Sequence, residues 1–173
     1  MFRFIGKPKQ LIAMLLDLNP DKMYEVKEYK LKRTMSQNGY YWVLLGQLAG
    51  ALKVSKPELH NRMLRSYGQI ELFGGKAARL SLPDTDETEE KALKSETVHM
   101  RPTSQTVRLA DGVTYRTYVL LKGSSDLNTA EMAQLLDGLI EECKQSGIET
   151  MTPLELAEMR RIEERRNAKH HSA

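Results

Sequence analysis

Residues 105–121, QTVRLADGVTYRTYVLL, decide the fold. β-Branched and aromatic residues recur on both sides of Asp111-Gly112, and an Asp-Gly pair supplies the positive φ angles of a two-residue hairpin turn. Strands joined this way run antiparallel. Upstream, QIELF and KAARLSL flank Gly74-Gly75, so residues 69–82 read as a second hairpin. Further strands are expected at 2–5, at 97–100 and at 23–32, the last carrying Tyr24, Val26 and Tyr29 with an alternation that slips near Glu28 and marks a bulge.

Helical patterns lie between the strands. Leu11, Met14, Leu15 and Leu18 predict a helix over 8–18, stopped by Asn19-Pro20-Asp21. Tyr41, Leu44, Leu45, Leu48 and Leu52 share one face of a helix over 36–52. Ser55-Lys56-Pro57-Glu58 combines a capping serine, an early proline and a glutamate three residues on, which starts a helix that runs to Tyr67 and stops at Gly68. Asn128 or Thr129 caps a segment with Met132, Leu135, Leu136, Leu139, Ile140 and Cys143 in one stripe, ended by Gly147. Thr152-Pro153-Leu154-Glu155 repeats the capping-box pattern and opens a last helix over 153–166. There is no regular βαβ alternation and no internal repeat. The class is therefore α+β: a small mixed or antiparallel sheet with hairpins, packed against several helices, with a C-terminal helical pair. A length of 173 residues fits a single domain over 1–173, with an exposed acidic loop at 83–92 and a basic, frayed tail at 167–173.

Composition narrows the setting. With 40% hydrophobic and 28% charged residues the chain is globular in type, and no apolar run reaches the length of a membrane span. Asp17 breaks the apolar stretch near the N-terminus and no small-residue cleavage site follows, which argues against a signal peptide. The single cysteine, Cys143, suits a reducing compartment, so the cytoplasm is the expected location. The net charge of +3 is unevenly spread. Lys27, Lys30, Lys32 and Arg33 crowd residues 24–33, DTDETEE over 84–90 is acidic, and RRIEERRNAKHH near the C-terminus is basic again, with Arg160, Arg161, Arg165 and Arg166.

No catalytic or metal-binding constellation emerges, and no cofactor is expected. Gly74-Gly75-Lys76 lacks the glycine five residues before Gly75 that a phosphate loop needs, where Ile70 stands, and the hydroxyl after the lysine, where Ala77 stands. The acidic run lacks the central glycine of a calcium loop and has Ser95 at the twelfth position. His60, His99, His170 and His171 show no ligand spacing with Cys143, which sits on an apolar stripe where a buried thiol is the default. Glu141 and Glu142 are neighbours on a helix and so point apart.

The segment 27–42 is the richest in binding chemistry. A basic strand leads into Ser36-Gln37-Asn38 and then Tyr40, Tyr41 and Trp42. Donors at a helix start hold phosphate, cations supply charge and an exposed aromatic stacks on an unpaired base, a mixture that suits single-stranded nucleic acid. The plainer reading makes Ser36 a cap, Tyr41 and Trp42 core, and the lysines the solvent face of a strand. A second candidate is LAGALKVSKPELHNRMLRSY, two helices joined like a helix-turn-helix with Lys56, His60, Asn61, Arg62 and Arg65 on the second helix, although Lys53 stands where such turns carry glycine. Two packed amphipathic helices explain it equally well.

Arg33-Thr34-Met35-Ser36-Gln37-Asn38, with Trp42 four residues after Asn38, resembles the signature of the lambdoid phage NinB, or Orf, recombination proteins. Gly123-Ser124-Ser125, then Asn128 through Leu136 and Gly147-Ile148, resembles that family's C-terminal pattern of a small polar turn, a helix with paired leucines and a glycine exit. The N-terminal strand and helix and the acidic insertion depart from the pattern and leave the dimer contacts and DNA path open. The resemblance implies an α+β homodimer that binds single-stranded DNA, contacts the host single-strand-binding protein and helps to load a recombinase, without hydrolysing anything. It makes Arg33, Gln37, Asn38 and Trp42 the motif positions; charge adds Lys27, Lys30, Lys32, Arg160, Arg161, Arg165 and Arg166. The expected function is a non-enzymatic, DNA-binding recombination mediator. The alternatives are a duplex-DNA-binding regulator using helix 56–67 and a small metal-dependent nuclease built from Asp84, Asp86 and Glu87.

Overall fold

A computed structural model describes residues 8–24, 36–110 and 112–170. Contacts divide the chain into two compact units, one over 37–150 and the other formed by the two terminal segments. In chain order the described elements are α1 (Pro8–Leu16), α2 (Gln37–Leu52), α3 (Lys56–Tyr67), β1 (Leu72–Phe73), β2 (Lys76–Ala77), β3 (Arg79–Pro83), α4 (Asp86–Lys94), β4 (His99–Arg108), β5 (Thr114–Leu121), α5 (Thr129–Gln145) and α6 (Pro153–His170). The class is α+β. The expected strand at 2–5 and most of that at 23–32 lie outside the described residues.

In the unit over 37–150, β5 is the central strand of an antiparallel sheet of order β3-β5-β4. Both edge strands carry proline, Pro83 in β3 and Pro102 in β4, where a missing N–H costs no central ladder bond. The two strands expected at 97–100 and 105–109 are one strand, β4, whose register against β5 shifts between Pro102 and Thr106. The hairpin expected over 69–82 divides in two: Leu72 and Phe73 pair with Ala77 and Lys76, while β3 leaves to pair with β5. Gly74 and Gly75, at φ 56° and 77°, make the turn, which explains why both positions are glycine.

The acidic stretch is a correction. Residues 83–92 were expected as an exposed loop, yet Asp86–Lys94 is helical. The Thr85 side chain accepts from the Thr88 N–H and caps the helix. Asp86, Glu87 and Glu89 sit in the first turn and Lys91 and Lys94 in the last, the arrangement that complements the helix dipole. Glu87 pairs with Lys91 and Glu90 with Lys94, each four residues apart. Tertiary burial completes it: Ala92 packs with Met100 and Tyr118 beside Leu80, Leu82 and Leu120, so α4 covers one face of the sheet. Glu89 joins three elements by pairing with Arg65 of α3 and accepting from the Tyr118 hydroxyl of β5 at 3.0 Å.

Three helices form the main core of this unit. The α5 stripe is buried as its spacing predicts, from Met132 to Cys143. α2 buries Tyr41, Leu44, Leu45 and Leu48, and also Tyr40 and Ala49, because α3 and α5 approach it from two sides. Leu52, expected on that face, is exposed. α3 enters as expected, with Ser55 accepting from the Glu58 N–H at 3.2 Å. Lys53 adopts φ 55° between α2 and α3, the left-handed conformation that glycine usually supplies in such a turn.

The terminal unit contains α1 and α6. α6 opens with the expected capping box: the Thr152 hydroxyl accepts from the Glu155 N–H at 3.3 Å, and the Glu155 carboxylate accepts from the Thr152 N–H at 2.7 Å. The tail expected to fray from 167 remains helical through His170, with 171–173 outside the described residues. No helix among the described residues is long and apolar enough to cross a membrane.

Gly138 of α5 lies against the Tyr67 ring, where an added Cβ would stand 2.4 Å from Cγ. Gly138→Ala is expected to destabilise the fold by about 2 kcal/mol through overpacking, measured as a lower urea midpoint. An unchanged midpoint would mean that Tyr67 swings away freely.

Candidate functional site

The start of α2 sorts its residues by helical geometry. Asn38 and Trp42, one turn apart, fall on the same side of the helix. Both are exposed, Trp42 at 38%. Gln37 faces inward at 1% exposure, and its Nε2 donates to the Thr129 carbonyl at 3.4 Å. This corrects the expectation of Gln37 as a DNA-contacting side chain: it braces the start of α2 against the start of α5. Tyr41 is also core, as the plainer sequence reading has it, whereas Trp42 is not.

Behind Trp42 lies a cluster that sequence spacing did not reveal. The Trp42 ring meets the His60 imidazole at 4.7 Å between centroids, and the Tyr41 hydroxyl lies 2.8 Å from His60 Nδ1. The His60 and His99 rings are 5.0 Å apart at 88°, edge to face. Asn61 anchors this group: its Nδ2 lies 3.0 Å from the Pro57 carbonyl, 2.9 Å from that of Leu93 and 2.7 Å from that of Ser95. Three carbonyls accept only from the amide nitrogen, so Oδ1 must point the other way, toward His99 Nδ1 at 2.8 Å. His99 therefore donates from Nδ1 when neutral, and its Nε2 carries the lone pair. The ring rests against Gly123, where the position of an added Cβ lies 3.5 Å from Nε2 and 3.6 Å from the Asp126 carboxylate.

Burial governs the electrostatics. It pushes His60 down to about 4, with the neighbouring His99 acting in the same direction. It also lowers His99, against which Asp126 acts. The Tyr41 phenol is held far above its ordinary range by burial, and the Cys143 thiol is pushed up to about 11, which makes it an inert core group. At the start of α5, the Asn128 side chain accepts from the Ala130 and Glu131 N–H groups, and Glu131 returns a bond to the Asn128 N–H. That N–H and Lys122 hold Glu131 below the usual carboxylate range.

The remaining sequence candidates are scattered. Lys27, Lys30, Lys32 and Arg33 lie outside the described residues. Arg160, Arg161, Arg165 and Arg166 are on α6 of the terminal unit, where Arg161 pairs with Glu158 at 2.7 Å and Arg165 and Arg166 are exposed. Of the side chains expected to face outward from α3, His60 and Asn61 are buried, and Arg65 bonds the Met100 carbonyl at 2.9 Å and pairs with Glu89. Only Lys56 and Arg62 of that set are exposed, and Arg62 pairs with Glu58. Asp84 accepts two bonds from Arg116, at 2.7 and 2.9 Å, and Glu87 pairs with Lys91. Among the described residues no three His, Cys, Asp or Glu side chains are grouped to hold a metal ion.

Two outcomes test the cluster. Asn61→Ala strands the Leu93 and Ser95 carbonyls and the His99 N–H, whereas the Pro57 carbonyl keeps its place in the α3 ladder, and is expected to cost about 3 kcal/mol, read from chemical denaturation. His60 is neutral in the fold but takes a proton near 6.5 once unfolded. Its contribution is therefore complete above pH 6.5 and lost as pH falls toward about 4, on the order of 3 kcal/mol in total. His60→Phe should flatten the stability profile across that window, and an unaltered slope would assign it to other groups.

No protein-family model, curated protein or solved structure matches the chain.

Proposed function

We propose that this chain is a non-enzymatic accessory of phage-type homologous recombination that binds single-stranded DNA through the first two turns of α2. The observation that carries the reading is the pairing of an exposed amide, Asn38, with an exposed indole, Trp42, on one side of a helix that contains no acidic residue. An indole stacks on any unpaired base, and an amide serves a phosphate or a base edge. The absence of carboxylates from α2 spares an approaching polyanion local repulsion. The two stretches that resemble the NinB family also meet, through the Gln37 bond to Thr129. The basic sequence ending at Arg33 precedes α2 in the chain and supplies charge in this reading, and Arg165 and Arg166 of the terminal unit are separate candidates for phosphate contact. A homodimer working in the bacterial cytoplasm beside the host single-strand-binding protein and a recombinase completes the proposal.

The reading of α3 as a duplex-recognition helix loses support from the burial of His60 and Asn61 and the engagement of Arg65.

The test is fluorescence anisotropy with an unstructured single strand and a matched duplex, at several salt concentrations. The single strand is expected to bind more tightly, with log affinity falling by about 0.7 per phosphate contact for each log unit of salt. Trp42→Ala should weaken it by about tenfold, the loss of one base-stacking platform, and Lys30→Ala/Lys32→Ala should lower the salt slope. Equal affinity for both nucleic acids, or none for either, defeats the proposal.

A further inference from the structure

Trp42 is the only tryptophan of the chain, and its ring has a wall behind it. The indole leans on the His60 imidazole with the planes at 40°, and meets the Tyr41 ring edge-on at 5.6 Å and 84°. His60 is itself held from two sides. The Tyr41 hydroxyl of α2 bonds its Nδ1, and the His99 ring of β4 meets it edge to face. His99 is fixed in turn by Asn61, whose amide is locked by three backbone carbonyls. A chain of determined contacts thus runs from the backbone of α3 and α4 to a surface ring. An unsupported surface indole samples several rotamers and must be ordered when a base stacks on it, which weakens binding; a ring already held in place avoids that loss.

We infer that His60 is the positioning residue for Trp42, holding the indole in one outward-facing orientation so that an unpaired base stacks on a pre-ordered ring. This rests on the reading of Trp42 as a base-stacking side chain. The arrangement requires a neutral imidazole. The titratable groups facing His60 are the Tyr41 hydroxyl from α2 and His99 from β4, while Asp126, in the turn after β5, acts on His99. Burial and the second imidazole both oppose a charge on His60. A proton there drives the ring toward water, and the indole that covers it must move.

The experiment uses the full chain and two readouts. The first, on free protein, is acrylamide quenching and emission of Trp42 from neutral pH down to about pH 4. The second is the affinity for oligo(dT) at neutral pH. In wild type, quenching is expected to rise as pH falls through the window set by His60. His60→Ala should show high quenching already at neutral pH and lose about tenfold in affinity, with no further loss in the double variant His60→Ala/Trp42→Ala, since the two residues act as one unit. His60→Phe, which keeps a flat ring but cannot titrate, should restore neutral-pH quenching and affinity and abolish the pH response. Wild-type affinity in His60→Ala, or the same pH response in His60→Phe as in wild type, overturns the inference. If circular dichroism finds His60→Ala unfolded, the comparison of His60→Phe with wild type decides. If wild type itself does not bind oligo(dT), the base-stacking reading fails while the quenching series still reports whether His60 holds the ring.

Discussion

The amide of Asn61 is the constraint on which the arrangement behind Trp42 depends. Its nitrogen serves carbonyls of Pro57, Leu93 and Ser95, and its oxygen accepts from His99. One buried side chain of α3 thereby satisfies the C-terminal end of α4, the loop that follows it and the first residue of β4. Backbone carbonyls at a helix end have no partner within the helix, and leaving them buried and unmet costs more than an ordinary hydrogen bond returns. α4 can therefore end against α3 only where Asn61 receives it. Once that junction is set, His99 is held beside His60, and His60 beside Trp42.

The cluster is polar at its centre and aromatic at its rim. Hydrogen bonds in such surroundings are directional and gain from the low local dielectric, so they select one arrangement of rings where an apolar patch would tolerate several. This is the physical basis for a fixed indole at the surface of α2. Arg65 extends the same logic on the far side of α3. It bonds the Met100 carbonyl and pairs with Glu89, which also accepts from Tyr118. The residues that give α3 the look of a DNA-reading helix are thus spent largely on internal contacts, and the left-handed Lys53 marks the turn of two packed helices.

The acidic segment shows how tertiary context overrides composition. DTDETEE has no apolar residue, and periodicity needs at least two turns of pattern before it speaks for a helix. α4 is nine residues long and places only Ala92 in the core. Its legible signals were local: a capping threonine, acids first and lysines last, and two glutamate–lysine pairs at helical spacing. Such signals are each worth only a few tenths of a kcal/mol to about 1 kcal/mol, too little to hold so short a helix without the sheet beneath it.

By itself the sequence determined what repeats or caps locally: the α+β class, the stripe of α5, the serine and threonine caps of α3 and α6, and the turn at Gly74-Gly75. These follow from spacing and backbone preference within a few residues, and spacing is visible in one dimension. The start of α2, one residue past the expected Ser36, was legible for the same reason, whereas the exposure of Trp42 was not. The inward turn of Gln37, the split of the 69–82 hairpin, and the grouping of Trp42 with His60, Asn61 and His99 were decided by the tertiary structure alone. Those groups come from different elements, and their contact depends on which of two helix faces meets a neighbour, a choice made by packing and by the need to satisfy buried polar groups.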